Sequence, residues 1–230
     1  KTMLESRFER LNALADINSA SKYLEIGVSS GGTFIRVKVP KKIAVDPCFR
    51  DDVHKKYANE NSIFYEITSD SFFSTLAPQH GEFDLIYLDG LHTFEQTFRD
   101  FCNSLRYSHS RTIWLIDDTY PISWLASLPN LRLFRRLRKW LKIKDPSWMG
   151  DVYKVIFAIH DFFPQFSYAT FPGHGQTVLW LETRKDFIPT WDSLEKISRL
   201  SYWDFEKFKD THLLIRDPET ILAQIKNSFA

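Results

Sequence analysis

Two short stretches carry the side chains most suited to chemistry. Asp89 and His92 follow the apolar run Phe83–Leu88, and Asp117–Asp118 follow a second apolar run, Thr112–Ile116. Apolar runs of this length indicate buried parallel strands, and reactive groups in open α/β sheets collect just beyond the carboxyl ends of such strands. If the two strands are neighbours, three carboxylates and an imidazole converge on one crevice. Such a set could hold a divalent cation, move a proton, or bind a substrate by hydrogen bonds alone.

A glycine-containing turn follows an earlier strand. Glu25 is followed by Gly27 and Gly31 with three residues between the glycines, and Asp46 ends the next predicted strand. Glycine lets a backbone approach a ligand closely, and a carboxylate such as that of Asp46 can accept both hydroxyls of a ribose. Ser29 stands where a dinucleotide fingerprint needs its middle glycine, so binding of NAD is less favoured.

Strands and helices alternate through most of the chain, which implies a parallel sheet with helices on both faces. Pro172–Gln176 is a hairpin signature, so the last strand must run antiparallel to its neighbour. The predicted strands begin with residues 22–26, 42–46, 63–67 and 83–88 and end with 112–116, 166–171 and 177–181. The predicted helices cover about 4–17, 50–59, 71–76, 93–107, 150–163 and 217–228.

The order and spacing of these motifs resemble the class I S-adenosylmethionine-dependent methyltransferases. The resemblance implies an α/β fold with a Rossmann-like sheet of order 3-2-1-4-5-7-6, an antiparallel last strand, and helical additions at both ends. It also implies S-adenosyl-L-methionine as the cofactor. The residues that it assigns to the cofactor site are Glu25, Gly27, Ser29, Gly31, Asp46, Ser69, Asp70 and Asp89. From the residues alone, Ser69 and Asp70 could equally cap the helix that follows them.

Within that superfamily, the Asp89-to-His92 motif and the later acidic pair resemble the branch called methyltransferase family 24, which includes macrolide-sugar O-methyltransferases. The resemblance covers residues 20 to 185. It implies that Asp89, Asp117 and Asp118 hold Mg²⁺ and that His92 is the general base. Asp117 departs from the pattern, because the sugar enzymes tend to carry Glu there. The implied function is Mg²⁺-assisted O-methylation of a sugar or another polyhydroxylated acceptor, such as a glycan precursor.

Other interpretations stay open at this point. The three aspartates could cap the helices that follow them, and His92 could bond only to backbone. The enzyme could methylate nitrogen or oxygen without metal, with His92 as the base, or the chain could be an inactive scaffold that binds the cofactor. His174, in the predicted hairpin, and Asp151 are candidate substrate contacts; Asp151 could instead cap its own helix.

Composition limits the remaining choices. The 230 residues are 43% hydrophobic and 26% charged, as in a globular protein. We expect a methyltransferase domain at 1–190 with an insertion at about 120–149, and a helical extension at 191–230 packed on it. Cys48 and Cys102 do not make a disulfide framework, so a cytoplasmic location is expected. No apolar run approaches the roughly 20 residues that a membrane span needs.

The insertion contains a strongly basic segment, residues 131–144. Seven of its residues are Lys or Arg and none is acidic, whereas the other 23 basic residues face 29 acidic ones. Its apolar residues could pack inward and leave a solvated basic face. The segment could also bind a phosphorylated acceptor, or rest on an anionic membrane as a peripheral contact. The expected partner is a small-molecule or sugar acceptor rather than nucleic acid, and a homo-oligomer stays open.

Overall fold

The computed structural model describes residues 4–173, 175–185 and 187–230. Within these residues, seven strands form one sheet of order β3-β2-β1-β4-β5-β7-β6. The strands β1 to β5 are parallel along this order, and β7 is antiparallel to both β5 and β6. The predicted sheet is therefore confirmed. The strands are β1 (Lys22–Ile26), β2 (Lys41–Val45), β3 (Ser62–Tyr65), β4 (Phe83–Leu88), β5 (Ser108–Ile116), β6 (Phe166–Phe171) and β7 (Gln176–Leu181).

Helices cover both faces of the sheet. They are α1 (Arg7–Asn18), α2 (Val53–Tyr57), α3 (Ser69–Ser71), α4 (Phe94–Ser104), α5 (Leu131–Trp140), α6 (Tyr153–Phe162), α7 (Leu194–Ser198), α8 (Tyr202–His212) and α9 (Pro218–Ser228). Side-chain caps set most of their starts. Ser6 and Glu9 form a capping box at α1, and Asp217 caps α9. The cap of α3 is Thr68, so the predicted cap at Ser69 and Asp70 was wrong.

Alternate residues of the central strands enter two separate cores. Leu24, Ile86 and Trp114 face the core that contains α4, α6 and Phe205 of α8. Their neighbours in sequence, such as Tyr87, face the core that contains α1 and α9. Because side chains alternate along a strand, Asp89, two residues after Tyr87, emerges on the side of α1. The sheet thus brings its acidic tip next to the first helix.

The basic segment does not pack as one of the sequence interpretations expected. Within 131–144, Phe134 is the buried side chain, whereas Leu133, Leu141, Ile143 and Trp140 are exposed. Inward packing was therefore wrong for Leu133, Trp140 and Leu141, whereas Leu131 and Leu137 are half-buried. Among the described residues, no helix combines the length and apolar character that a membrane-spanning segment needs.

Candidate active site

Backbone hydrogen bonds between neighbouring strands continue just past the carboxyl ends of the central strands. The backbone N–H groups of Gly27 and Asp89 donate to the carbonyl oxygens of Val45 and Ile26, each at 2.9 Å. The backbone N–H of Asp117 donates to the carbonyl oxygen of Leu88, the last residue of β4, at 3.0 Å. Neighbouring tips therefore end side by side. This arrangement carries the residues after β4 and β5 to one place, as the sequence predicted.

Three side chains beyond β4 and β5 form a compact group. Asp89, His92 and Asp118 each offer a ligand atom, and these atoms lie within 4.8 Å of one another. His92 Nε2 is 3.4 Å from Asp89 Oδ1, and His92 Nδ1 is 2.9 Å from Asp118 Oδ2. Asp118 adopts a left-handed backbone conformation with φ of 58°, which residues other than glycine seldom adopt. Two carboxylates and an imidazole are a donor set that fits a divalent cation.

The end of the insertion fixes the ring of His92. The ring stacks on Trp148 with centroids 5.1 Å apart, and Nδ1 lies 2.8 Å from the carbonyl oxygen of Trp148. A carbonyl oxygen only accepts, so Nδ1 carries a hydrogen and Nε2 is the atom left for chemistry. Gly150 permits the close approach of this segment to His92, because a Cβ at position 150 would lie 1.7 Å from the carbonyl oxygen of His92.

The protonation of His92 follows from its two carboxylate neighbours. Burial lowers the pKa of His92, but hydrogen bonds to Asp118 and Asp89 and their negative charges outweigh burial and raise the pKa to about 11. In this arrangement the imidazole is positively charged at neutral pH. A neutral base therefore requires that another cation take over part of the negative charge of these carboxylates.

Asp117 lies apart from this group and binds an arginine. Its Oδ2 is 2.7 Å from Arg7 Nη2 and accepts a hydrogen bond from the hydroxyl of Tyr87 at 2.8 Å. Arg7 also reaches Asp89, with Nη1 3.5 Å from Oδ2. Asp117 Oδ1 is buried and has no hydrogen-bond partner among the described residues. Burial and the charge of Asp89 raise the pKa of Asp117, whereas Arg7 and Tyr87 act in the opposite direction.

Sequence reasoning missed Arg7 and Tyr87. Arg7 opens a surface helix, and Tyr87 reads as one more apolar position of a buried strand, so neither carries a local signal. Gln176 also escaped notice; its Nε2 lies 3.3 Å from the hydroxyl of Tyr87, and its Oε1 accepts from Arg10 at 2.9 Å. These side chains meet only because α1 packs on the same face of the sheet to which β4 and, beyond β5, β7 contribute them.

The aspartates of the group are not helix caps. Thr93 caps α4, and Asn130 caps α5. Asp151 does not cap its own helix either, because its Oδ1 accepts from the backbone N–H of Phe94 at the start of α4, at 2.8 Å. The second oxygen of Asp151 pairs with buried Lys154 at 3.0 Å. These contacts account for Asp151 structurally, and its predicted role in substrate binding stays a prediction.

The predicted cofactor residues lie in or just beyond β1, β2, β3 and, for Asp89, β4. Asp46 is half-buried, and its two carboxylate oxygens accept from the backbone N–H groups of Ser29 and Cys48, each at 2.8 Å. A carboxylate oxygen accepts more than one hydrogen bond, so this donor set fits the hydroxyls of a ribose. Ser69 and Asp70 accept from Gln96 of α4 at 3.2 and 3.3 Å.

The two glycines of the turn after β1 lie in close contact with other parts of the protein. A Cβ at Gly27 would lie 2.0 Å from the carbonyl oxygen of Asp89, and one at Gly31 would lie 2.4 Å from a side-chain atom of Val53. Both glycines have positive φ, which other residues rarely adopt. Glu25 is buried in β1 and accepts from the hydroxyl of Tyr23 at 2.6 Å. His174, the other candidate substrate contact, lies outside the described residues.

Solved structures of methyltransferases resemble this chain. An O-methyltransferase from Bacillus cereus in complex with SAH is 15% identical, with a TM-score of 0.56 over 77% of this chain and 81% of that one. TomG from Streptomyces achromogenes, an O-methyltransferase of tomaymycin synthesis in complex with SAM, is 14% identical, with a TM-score of 0.53 over 79% and 82%. These likenesses show the fold.

MycE, a methyltransferase of the mycinamycin biosynthetic pathway, is also similar. In its complex with Mg, SAH and mycinamycin VI it is 17% identical, with a TM-score of 0.50 over 86% of this chain and 55% of that one. No curated protein sequence matches the chain. A family model described as a methyltransferase domain, of the branch numbered 24, matches residues 24–119. The match covers 96 of the 230 residues, and together with the structural likenesses it supports the fold that the sequence predicted.

Proposed function

We propose that this protein is an S-adenosylmethionine-dependent methyltransferase that acts on a hydroxyl oxygen of a sugar or another polyhydroxylated small molecule and uses Mg²⁺ to do so. The observation that carries the proposal is the group of Asp89, His92 and Asp118 at neighbouring strand tips. Supporting it, the similar MycE structure holds Mg, SAH and mycinamycin VI together. The group lies beside the predicted cofactor residues, because Gly27 packs directly on the backbone of Asp89.

The side chains of the site have separate roles in this proposal. Asp89 and Asp118 hold the cation, and Asp117 stays a predicted third ligand, since its Oδ1 has no hydrogen-bond partner among the described residues. Trp148 orients His92, so that Nε2 receives the proton of the acceptor hydroxyl. A bound divalent cation supplies positive charge that lowers the pKa of a hydroxyl beside it and, by neutralising the same carboxylates, lowers the pKa of His92.

Calorimetric titration of the purified protein tests this proposal. S-adenosylmethionine and Mg²⁺ are titrated separately and together into the wild type, Asp118→Asn and Asp84→Asn. Asp84 is a matched control: it lies on the same strand β4 at the opposite end, and it also pairs with a histidine, His109, at 2.9 Å. We expect Mg²⁺ binding by the wild type and Asp84→Asn and its loss in Asp118→Asn. Cofactor binding without Mg²⁺ binding to the wild type would contradict the metal mechanism.

One observation favours a second candidate, methyl transfer without metal. Arg7 already places a positive charge on Asp117 and Asp89. In that case the guanidinium would take the electrostatic role of the cation, and the acceptor could be oxygen or nitrogen. Turnover measured with and without a chelator separates the two candidates. Activity that is insensitive to the chelator and lost in Arg7→Gln supports the metal-free enzyme, and activity restored by Mg²⁺ supports the first proposal.

A further inference from the structure

The basic segment, residues 131–144, presents apolar side chains to solvent. Trp140 is 75% exposed, and Leu133, Leu141 and Ile143 are also exposed. Single exposed apolar residues are ordinary on a protein surface, but four within one short segment form a patch. Phe134 anchors the segment, since it is buried against the rest of the molecule. The helix is thus fixed in place while most of its apolar surface stays uncovered.

Most of the basic residues of α5 lie on a different side of the helix from its exposed apolar residues. Leu133, Leu137, Trp140 and Leu141 follow the spacing of one helical face. Arg132, Arg135 and Lys139 fall on the other side, Arg136 lies at the edge beside Trp140, and Arg138 follows buried Phe134 by one turn. Lys142 and Lys144 come directly after the helix. Long basic side chains that flank an exposed tryptophan and aliphatic residues are typical of a helix that lies in the plane of a membrane interface.

Charge complementarity identifies the occupant of this surface. Seven basic and no acidic residues lie in the segment, whereas the rest of the chain is net acidic, with 23 basic against 29 acidic residues. A second copy that docked through the same segment would bring the same positive charges face to face. A nucleic acid or a soluble phosphate would pair with the cations but leave the aliphatic side chains in water. A membrane with anionic headgroups satisfies both, because its acyl region takes the apolar side chains.

We infer that residues 131–144 dock the protein on anionic membrane surfaces, with Trp140 and Leu133 entering the interface and the basic residues contacting lipid headgroups. The segment leads directly to Trp148, which stacks on His92. Docking therefore places the candidate active site next to the lipid surface. The inference does not depend on the proposed acceptor or metal, since membrane binding is measured without methyl transfer.

Co-sedimentation with vesicles tests the inference. The full chain is mixed with vesicles of phosphatidylcholine alone and of phosphatidylcholine with phosphatidylglycerol. We expect binding to the anionic vesicles only, weakening as salt is added because exposed charges are screened. In the double variant Arg132→Gln and Arg136→Gln the partition coefficient is expected to fall about 25-fold, at about fivefold for each basic residue.

A matched pair of tryptophan variants tests the apolar contact. Trp140→Ala is expected to lower the partition coefficient about tenfold, since an exposed aromatic side chain no longer enters the interface. Trp203→Ala is the control, because Trp203 on α8 is 70% exposed and lies outside the basic segment. Both side chains are in solvent, and equal thermal unfolding of the two variants and the wild type verifies that they fold.

Several results would overturn the inference. One is failure of the wild type to bind anionic vesicles at low salt. Another is an equal loss of binding in Trp140→Ala and Trp203→Ala, because membrane contact would then not be centred on the basic segment. A third is a dimer in solution that Trp140→Ala dissociates, and a fourth is retention on a single-stranded oligonucleotide without retention on vesicles. Each of the last two would assign the surface to a different occupant.

Discussion

Replacing Glu25 by Gln is expected to stabilise the ligand-free protein at neutral pH. Glu25 lies inside the sheet in β1, only 1% of its surface is exposed, and it accepts a hydrogen bond from the hydroxyl of Tyr23. Burial raises the pKa of Glu25 to about 8, because the hydrogen bond from Tyr23 compensates only in part. At pH 7 the folded protein therefore holds this carboxyl in its protonated form.

The magnitude follows from the two pKa values. In the unfolded chain the carboxyl ionises near its ordinary pKa of 4.5, whereas in the folded protein it ionises near 8. Between these values the folded state keeps a proton that the unfolded state has lost. The free energy of unfolding therefore falls as pH rises, by about 1.4 kcal/mol per pH unit. At pH 7 the loss amounts to about 3 kcal/mol, and Gln, which does not ionise, removes it.

Urea unfolding of the wild type and Glu25→Gln from pH 4 to pH 8 measures this effect. We expect the two free energies of unfolding to be similar at pH 4 and the variant to be more stable by about 3 kcal/mol at pH 7. Glu82→Gln is the control, because Glu82 is exposed, and its effect should stay within about 0.5 kcal/mol. Parallel pH profiles for the wild type and Glu25→Gln would refute the reasoning from burial.

The same variant tests the predicted contact between Glu25 and the cofactor. If Glu25 binds the positively charged amino group of S-adenosylmethionine, its replacement by Gln weakens cofactor binding by about 10- to 100-fold, the range for a hydrogen bond to a charged group. Calorimetric titration measures this change separately from unfolding. A variant that is stabilised but binds the cofactor as tightly as the wild type would remove Glu25 from the cofactor site.

Three further changes test the surroundings of the site. Arg7→Gln should lower the free energy of unfolding by about 1 kcal/mol in urea at pH 8, because Asp117 loses an ion pair with a partly exposed arginine. Gly150→Ala should lower it by about 2 kcal/mol or more and also reduce turnover, since the added Cβ collides with the backbone of His92. Asp151→Ala should cost about 2–4 kcal/mol, because α4 loses a backbone contact and a buried lysine loses its partner.

Each of these changes has an outcome that would contradict it. Gly32→Ala is the control for Gly150→Ala, because a Cβ at Gly32 has no heavy atom within 4 Å, and equal effects of the two would discount the collision. An Arg7→Gln protein that is as stable as the wild type at pH 8 would mean that the ion pair contributes nothing. Thermal unfolding of Asp151→Ala that matches the wild type would remove the structural account of that residue.

The sheet could be predicted because its signals are local. Parallel strands buried on both faces need nearly continuous apolar runs, and β4 and the end of β5 carry such runs next to their acidic tips. The hairpin between β6 and β7 is signalled by proline and glycine in the turn. The order of the strands was predicted from the resemblance to a known family, because the sequence of a strand does not indicate which other strand pairs with it.

The outcome for α5 shows the limit of a pattern. This amphipathic helix lies in the basic segment, and its pattern of residues fits both a helix buried in a core and one left open to solvent. Whether the apolar face of α5 is buried depends on which other elements pack against the helix. Phe134 is 3% exposed and Trp140 is 75% exposed, a difference that the sequence of the helix alone does not predict.

By itself, the sequence determined the strands, the helices, the order of the motifs and the tip residues Asp89, His92, Asp117 and Asp118, since each depends on neighbours in the chain. Only the tertiary structure decided the pairing among these groups. It joins His92 to Asp118 and Trp148, and Asp117 to Arg7. Such pairs join residues distant in the chain, and their formation depends on how helices and the insertion pack across the sheet, so no local pattern encodes them.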